Sequence, residues 1–152
     1  MIVYRIARRN RINDLSGRGA EIAAGRWNPK GFPVLYTAST SSLAILEKLV
    51  HVELDLFPSD LYFAVLEITD GFSQQVLQAS DLPESWNKFP NQDSLKEIGR
   101  NWLEGNKTLI LTVPSAVNVH EVNHLINPGH PEVTMVKIIK TYPFEIDVRI
   151  IE

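Results

Sequence analysis

Short apolar runs, separated by clusters of glycine, proline and polar residues, dominate this chain, and most are strand-sized. Met1–Ala7 reads as a first strand, with Val3 and Tyr4 suited to a pleated surface. Ser16–Gly31 carries Gly17, Gly19, Gly25 and Gly31, so it is predicted as a loop region with one helical turn at Ala20–Ala24. Pro33–Ala38 forms a second strand, after which Ser39–Ser42 offers N-caps for a helix running to about Leu54. Leu61–Thr69 and Lys107–Val113 are strand-like, while Asp93–Glu104 places Leu95, Ile98, Trp102 and Leu103 at helical spacing. The end of the chain suggests two antiparallel strands, Val133–Lys140 and Phe144–Ile151, around a turn at Thr141-Tyr142-Pro143. Strands outnumber helices without alternating regularly, which predicts an α+β fold on mixed or antiparallel sheets. No repeat or linker divides residues 1–152, so a single domain is expected.

Composition narrows the class. At this length a chain buries about 68–70% of the surface it exposes when unfolded, enough for a core and a cleft. Fifteen basic against eighteen acidic residues give a net charge of −3, which offers a polyanion no global attraction. The local cluster Arg5, Arg8, Arg9 and Arg11 is read as a solvated face, and direct nucleic-acid binding is not expected. The absence of cysteine excludes disulfides, thiolate metal sites and a cysteine nucleophile. Neither a membrane-spanning run nor a signal-peptide core is present, so the expected location is cytoplasmic, with no membrane partner.

Three constellations could carry chemistry. In the helix after Thr40, Leu43, Leu46, Leu49, Val50 and Leu54 form an apolar stripe with Glu47 at its edge, where a carboxylate is partly desolvated. Alone, Glu47 could equally snorkel to solvent or pair with an arginine. Tyr36 at the end of the preceding strand and Arg26 in the glycine-bracketed loop give it company, since arginine grips phosphates bidentately and glycines allow close backbone approach. That loop matches neither phosphate-loop nor dinucleotide fingerprint.

The second constellation, His120-Glu121-Val122-Asn123-His124, satisfies H-E-x-x-H, with His130 spaced as a third zinc ligand. Zinc requires both histidines on one helix face, and Val119, Val122, Asn118, Asn123, Pro114 and Pro128-Gly129 make a poor helix. An extended segment would separate them by about 13 Å, so loop histidines engaged in hydrogen bonds are expected, and no metal. The third constellation is Ser115 at a strand exit, which lacks a nucleophile elbow and reads as a hydrogen-bond donor.

Taken in order, Val3-Tyr4-Arg5-Ile6, Ser16-Gly17-Arg18-Gly19-Ala20, Gly25-Arg26-Trp27-Asn28-Pro29-Lys30-Gly31, Tyr36-Thr37-Ala38, Leu43-Ala44 with Glu47 and His51, Pro114-Ser115-Ala116-Val117 and Asn127-Pro128 with His130 resemble the RES domain family. The likeness spans nearly the whole chain and departs at Ala24, where many members carry glycine. It implies a fold similar to ADP-ribosyltransferases and a bacterial toxin restrained by an Xre-like helix-turn-helix antitoxin. It also implies action on NAD+, by degradation or by transfer of ADP-ribose to a protein, with NAD+ as substrate and no separate cofactor.

By the same resemblance Glu47, Arg5 and Tyr36 are catalytic positions, and Arg5, Arg26, Tyr36 and Ser115 bind NAD+. Glu47 is expected to stabilise positive charge on the nicotinamide ribose, Tyr36 to stack on nicotinamide, and Ser115 to fix the nicotinamide end or orient a catalytic side chain. Trp27 is expected to anchor its loop. A homodimer stays open. Two other classes compete: a zinc-dependent peptidase using His120, Glu121, His124 and His130, and a non-enzymatic binding module presenting Trp27 and Phe32.

Overall fold

Alternation along the first strand, β1 (Ile2–Arg8), sorts the molecule into two faces. Val3 is fully buried on one side, whereas Tyr4 and Ile6 pack on the other. The computed structural model describes residues 1–53 and 56–150. Its further strands are β2 (Leu35–Ala38), β3 (Leu61–Ile68), β4 (Gln74–Val76), β5 (Ile110–Pro114), β6 (Val122–Ile126) and β7 (Val136–Pro143), and its helices α1 (Arg18–Ile22), α2 (Ser41–Leu49) and α3 (Asp93–Gly105). Among the described residues these strands form one seven-stranded sheet in the order β4-β5-β6-β2-β1-β3-β7. Only the β4–β5 pair is parallel, giving the mixed α+β fold that the apolar pattern predicts.

One face of the sheet buries a continuous layer that includes Val3, Leu35, Leu66, Ile110 and Ile126. The other face carries two separate clusters. Beneath α3 lie Trp27, Trp86, Leu95, Trp102, Leu111 and Leu125, while beneath α2 lie Ala38, Leu43, Ala44 and Phe63. Burial of a side chain such as Leu43, which is wholly inaccessible, contributes about 1.5–3 kcal/mol. The interval between these two clusters is where a ligand can reach the sheet.

Helix α2 starts as expected, with Thr40 as N-cap accepting from the Leu43 amide at 3.1 Å. It ends at Leu49, short of the predicted Leu54, where β-branched Val50 and Val52 disfavour continuation; Leu54 lies outside the described residues. The predicted stripe is also rotated. Leu43 and Ala44 face the sheet, while Leu46 and Val50 are 39% and 57% exposed. Glu47, one turn after Leu43 and three residues after Ala44, therefore points along the buried arc and not along its rim.

The predicted terminal hairpin is replaced by a single edge strand. β7 continues through Thr141, Tyr142 and Pro143, pairing with β3 along its length. Proline is tolerated there because an edge strand has one side free of the ladder. Tyr142 stacks on Phe63 at 5.2 Å between ring centroids, and Phe144 packs against the same ring. Val133 falls in a short 3₁₀ turn, Pro131–Met135, and a second one, Val148–Ile150, stands within the expected strand Phe144–Ile151, whose last residue, Ile151, lies outside the described residues. The helical turn expected at Ala20–Ala24 begins earlier, at Arg18, following Gly17 at φ 72°.

Candidate active site

The sheet opens along one seam. β1 and β2 are paired at a single register, Tyr4 opposite Ala38. The next antiparallel positions, Arg5 with Thr37 and Ile6 with Tyr36, are unpaired, and all four residues line one cavity of about 870 Å³. Cavities of about 300–1,000 Å³ suit cofactor-sized ligands. Glu47 and Lys48 from α2, Arg26 from the glycine-bracketed loop and Asn123 from β6 add to the polar lining, as do His51, Asn87 and Asn91. Residues remote in sequence thus converge because the seam, α2 and β6 border the same opening.

Glu47 is fixed through one oxygen. Its Oε1 accepts from the Ser115 hydroxyl at 2.8 Å and from Asn123 Nδ2 at 2.6 Å. Its Oε2 has no hydrogen-bond partner among the described residues and belongs to a side chain facing the cavity. A carboxylate clamped at one oxygen and open at the other is oriented before any ligand arrives, which avoids reorganisation during reaction.

Ser115 itself is fully buried and is not part of the cavity lining. Besides donating to Glu47, its oxygen accepts from the amides of Val117 and Asn118 at 3.1 and 3.0 Å. Its placement is behind Glu47, touching that carboxylate and not the cavity surface. Asn123 is the partner that sequence reasoning missed. Its signal is modest: an amide beside His124 in a segment whose histidines are the more conspicuous chemistry.

The Gly25–Gly31 loop is organised by Asn28, which is wholly buried. Its Nδ2 donates to the carbonyls of Ala20 and Phe32, and its Oδ1 accepts from the Tyr36 hydroxyl at 2.6 Å and from the Gly25 amide. The Tyr36 oxygen also accepts from the Trp27 amide. A Cβ at position 25 would stand 2.7 Å from that phenol oxygen, so glycine is required for the approach. Burial pushes the Tyr36 phenol well above its usual range, with Glu47 adding to the effect and the Trp27 amide and Arg26 opposing it. Tyr36 stays protonated, its hydroxyl engaged by the loop and its ring part of the cavity wall.

Trp27 anchors the loop as expected, buried among Trp86, Leu95 and Trp102. Its backbone presses on α3 so tightly that a Cβ at Gly99 would meet the Trp27 carbonyl oxygen. Arg26, the next residue back, reaches across to the carbonyls of Trp86 and Lys88 at 2.7 and 3.2 Å. Arg5 donates to the carbonyls of Asp14, Ile12 and Arg11. Burial lowers the pKa of both guanidiniums, opposed by Asp14 at Arg5 and by Glu47 and Tyr36 at Arg26. Both remain cations beside the cavity.

The zinc constellation does not assemble. His120 lies in a turn and is exposed, whereas His124 sits in β6, buried, with Nδ1 2.9 Å from Thr112 Oγ1. Glu121 accepts from Thr40 and Asn118, and His130 Nδ1 accepts from the Glu132 amide as an N-cap. No group of three or more metal-ligating side chains is found among the described residues. The segment expected as loop is in fact half strand, since Val122–Ile126 pairs with both β5 and β2.

Residues 2–147 match the RES domain family. The chain is 36% identical over 147 residues to the Prs ADP-ribosylating toxin of Sphingobium sp. strain YBL2, covering 95% of this chain and 91% of that protein. It is 38% identical over 152 residues to Toxin Res of Yersinia enterocolitica, covering 99% of each. The crystal structure of the M. tuberculosis MbcT–MbcA toxin–antitoxin complex contains a chain of the same fold, with a TM-score of 0.72 at 18% identity over 94% of this chain and 83% of that one. With an opened sheet seam, a clamped glutamate beside it and a family match over nearly its full length, the chain belongs to the RES domain family.

Proposed function

We propose that this protein is the toxin of a toxin–antitoxin pair and cleaves the nicotinamide–ribose bond of NAD+. The observation that carries this reading is Glu47, held through Oε1, with no partner for Oε2 among the described residues, lining a dinucleotide-sized cavity bordered by Arg5 and Arg26. Relatives named as an ADP-ribosylating toxin and as Toxin Res support it.

Glycosidic cleavage passes through an oxocarbenium-like state. Here the C–N bond breaks with its electron pair moving to the pyridinium nitrogen, so nicotinamide leaves neutral and no acid is needed to protonate it. Glu47 Oε2 accepts a hydrogen bond from a hydroxyl of the nicotinamide ribose and stabilises the growing positive charge. The Tyr36 ring flanks nicotinamide, and Arg5 and Arg26 neutralise phosphate charge with the donors their loop carbonyls leave over. An acceptor oxygen then bonds to the anomeric carbon and releases its proton to solvent. Water yields ADP-ribose, phosphate yields a phosphorylated ADP-ribose, and a protein side chain yields a modified protein.

An enzyme of this kind acts where NAD+ is abundant, in the cytoplasm, and is restrained there by an antitoxin of the Xre-like helix-turn-helix class. Among the described residues no helix is long and apolar enough to cross a membrane. Incubating the purified chain with NAD+, with and without phosphate, and weighing the products tests the reading. Release of nicotinamide supports it and the mass of the other product names the acceptor; NAD+ left intact and unbound overturns it.

A further inference from the structure

The cavity wall holds a third cation that neither the sequence motifs nor the family likeness singled out. Lys48 follows Glu47 on α2, is half-buried and lines the same cavity. Its neighbours are already engaged. Arg8 pairs with Asp60 at 2.9 Å, Arg5 holds three carbonyls of the 11–14 loop, and Arg26 holds two of the 86–88 segment. The Lys48 ammonium, by contrast, has neither ion pair nor hydrogen bond among the described residues. Among the described residues, its three donors and full charge are thus uncommitted beside the cavity.

Its surroundings are unfavourable to that charge when no anion is present. Burial, and then the nearby charges of Arg8 and Arg5, lower its pKa. A group in that position gains from an anion that sits between it and Arg5. Glu47 and Lys48 line the same cavity, so a ribose held at Glu47 leaves its attached phosphate within reach of the long Lys48 arm. A flexible four-carbon arm ending in a point charge suits a phosphate whose position shifts during reaction.

We propose that Lys48 is a substrate-binding residue that, together with Arg5, grips the diphosphate of the dinucleotide whose nicotinamide ribose lies at Glu47. This rests on the NAD+ reading given above.

The test compares the full-length wild type with Lys48→Met and Lys48→Arg by calorimetric titration of two probes. ADP-ribose keeps the diphosphate, and nicotinamide riboside keeps the nicotinamide ribose without any phosphate. Lys48→Met should weaken ADP-ribose binding about tenfold to a hundredfold, the usual effect of losing a charge-assisted contact. It should leave nicotinamide riboside unchanged, while Lys48→Arg restores most of the ADP-ribose affinity. Equal ADP-ribose affinity in wild type and Lys48→Met, or equal losses for both probes, would overturn the assignment while NAD+ cleavage by the wild type stands. A wild type that neither binds ADP-ribose nor releases nicotinamide from NAD+ removes the NAD+ reading and Lys48's role with it.

Discussion

Ser115 stands behind Glu47, fully buried, with its hydroxyl donated to the glutamate Oε1 across 2.8 Å. The two residues are 68 positions apart, joined because the end of β5 meets the cavity side of α2. Ser115→Ala removes that donor and leaves the amides of Val117 and Asn118 without their acceptor, costing about 1–3 kcal/mol of stability. Turnover of NAD+ should fall about tenfold in kcat with KM nearly unchanged, since an oriented carboxylate acts in the transition state. Steady-state kinetics beside a thermal melt separates the two effects. Asn123→Ala should behave alike, and the double variant should lose less than the sum, because both donors share one oxygen.

Arg26 and Trp27 are neighbours with different work. Arg26→Ala deletes a cavity cation and frees the carbonyls of Trp86 and Lys88, so kcat/KM for NAD+ should drop about tenfold to a hundredfold. Trp27→Phe retains an aromatic in the core but leaves a small cavity, so it should cost about 1–3 kcal/mol of stability with kcat/KM within a fewfold of wild type. Comparable kinetic losses in the two variants would contradict this division.

Gly99 of α3 makes a sharper stability test. A methyl group there meets the Trp27 carbonyl, a backbone atom that cannot rotate away. Gly99→Ala normally favours a helix by about 1 kcal/mol, yet here it should lower the melting temperature by several degrees, the result of overpacking by about 1–3 kcal/mol. Retention of wild-type stability would mean that α3 and the Gly25–Gly31 loop are less closely seated.

His124 sets an acid limit. Burial lowers its pKa from the ordinary 6.5, so as pH falls through that value the unfolded chain takes up a proton that the folded one refuses. More protons on the unfolded state means stability rises with pH. Its contribution is therefore intact above about pH 6.5 and declines below it, down to the lowered folded value. Denaturation midpoints of wild type between pH 7 and pH 5 should slope downward more steeply than those of His124→Gln. Parallel slopes would remove His124 from the account.

What the chain discloses locally and what it withholds divide along contact range. β1, β3 and α3 emerge within a residue or two because each has a periodicity of its own. Arg5, Arg26, Tyr36 and Glu47 carry chemistry in their side-chain types, and the fold brings all four to one cavity. Asn123 and Ser115 were not legible as a pair of donors to Glu47, since that contact depends on β6 passing β2 and β5 in the right register. The apolar stripe of α2 misled because a helical pattern does not say which part of its arc meets a sheet. Thr141-Tyr142-Pro143 misled because proline marks turns and edge strands alike, and only the free side of β7 decides between them.

Glu47 is proposed to carry the chemistry. Nicotinamide released from NAD+ by wild type and Glu47→Gln, at matched concentration and with matched melting curves, tests it most directly. Glutamine preserves the acceptor oxygen toward Ser115 and removes the negative charge, so release should fall to background in the variant while the fold persists. Wild-type release by Glu47→Gln would contradict the account.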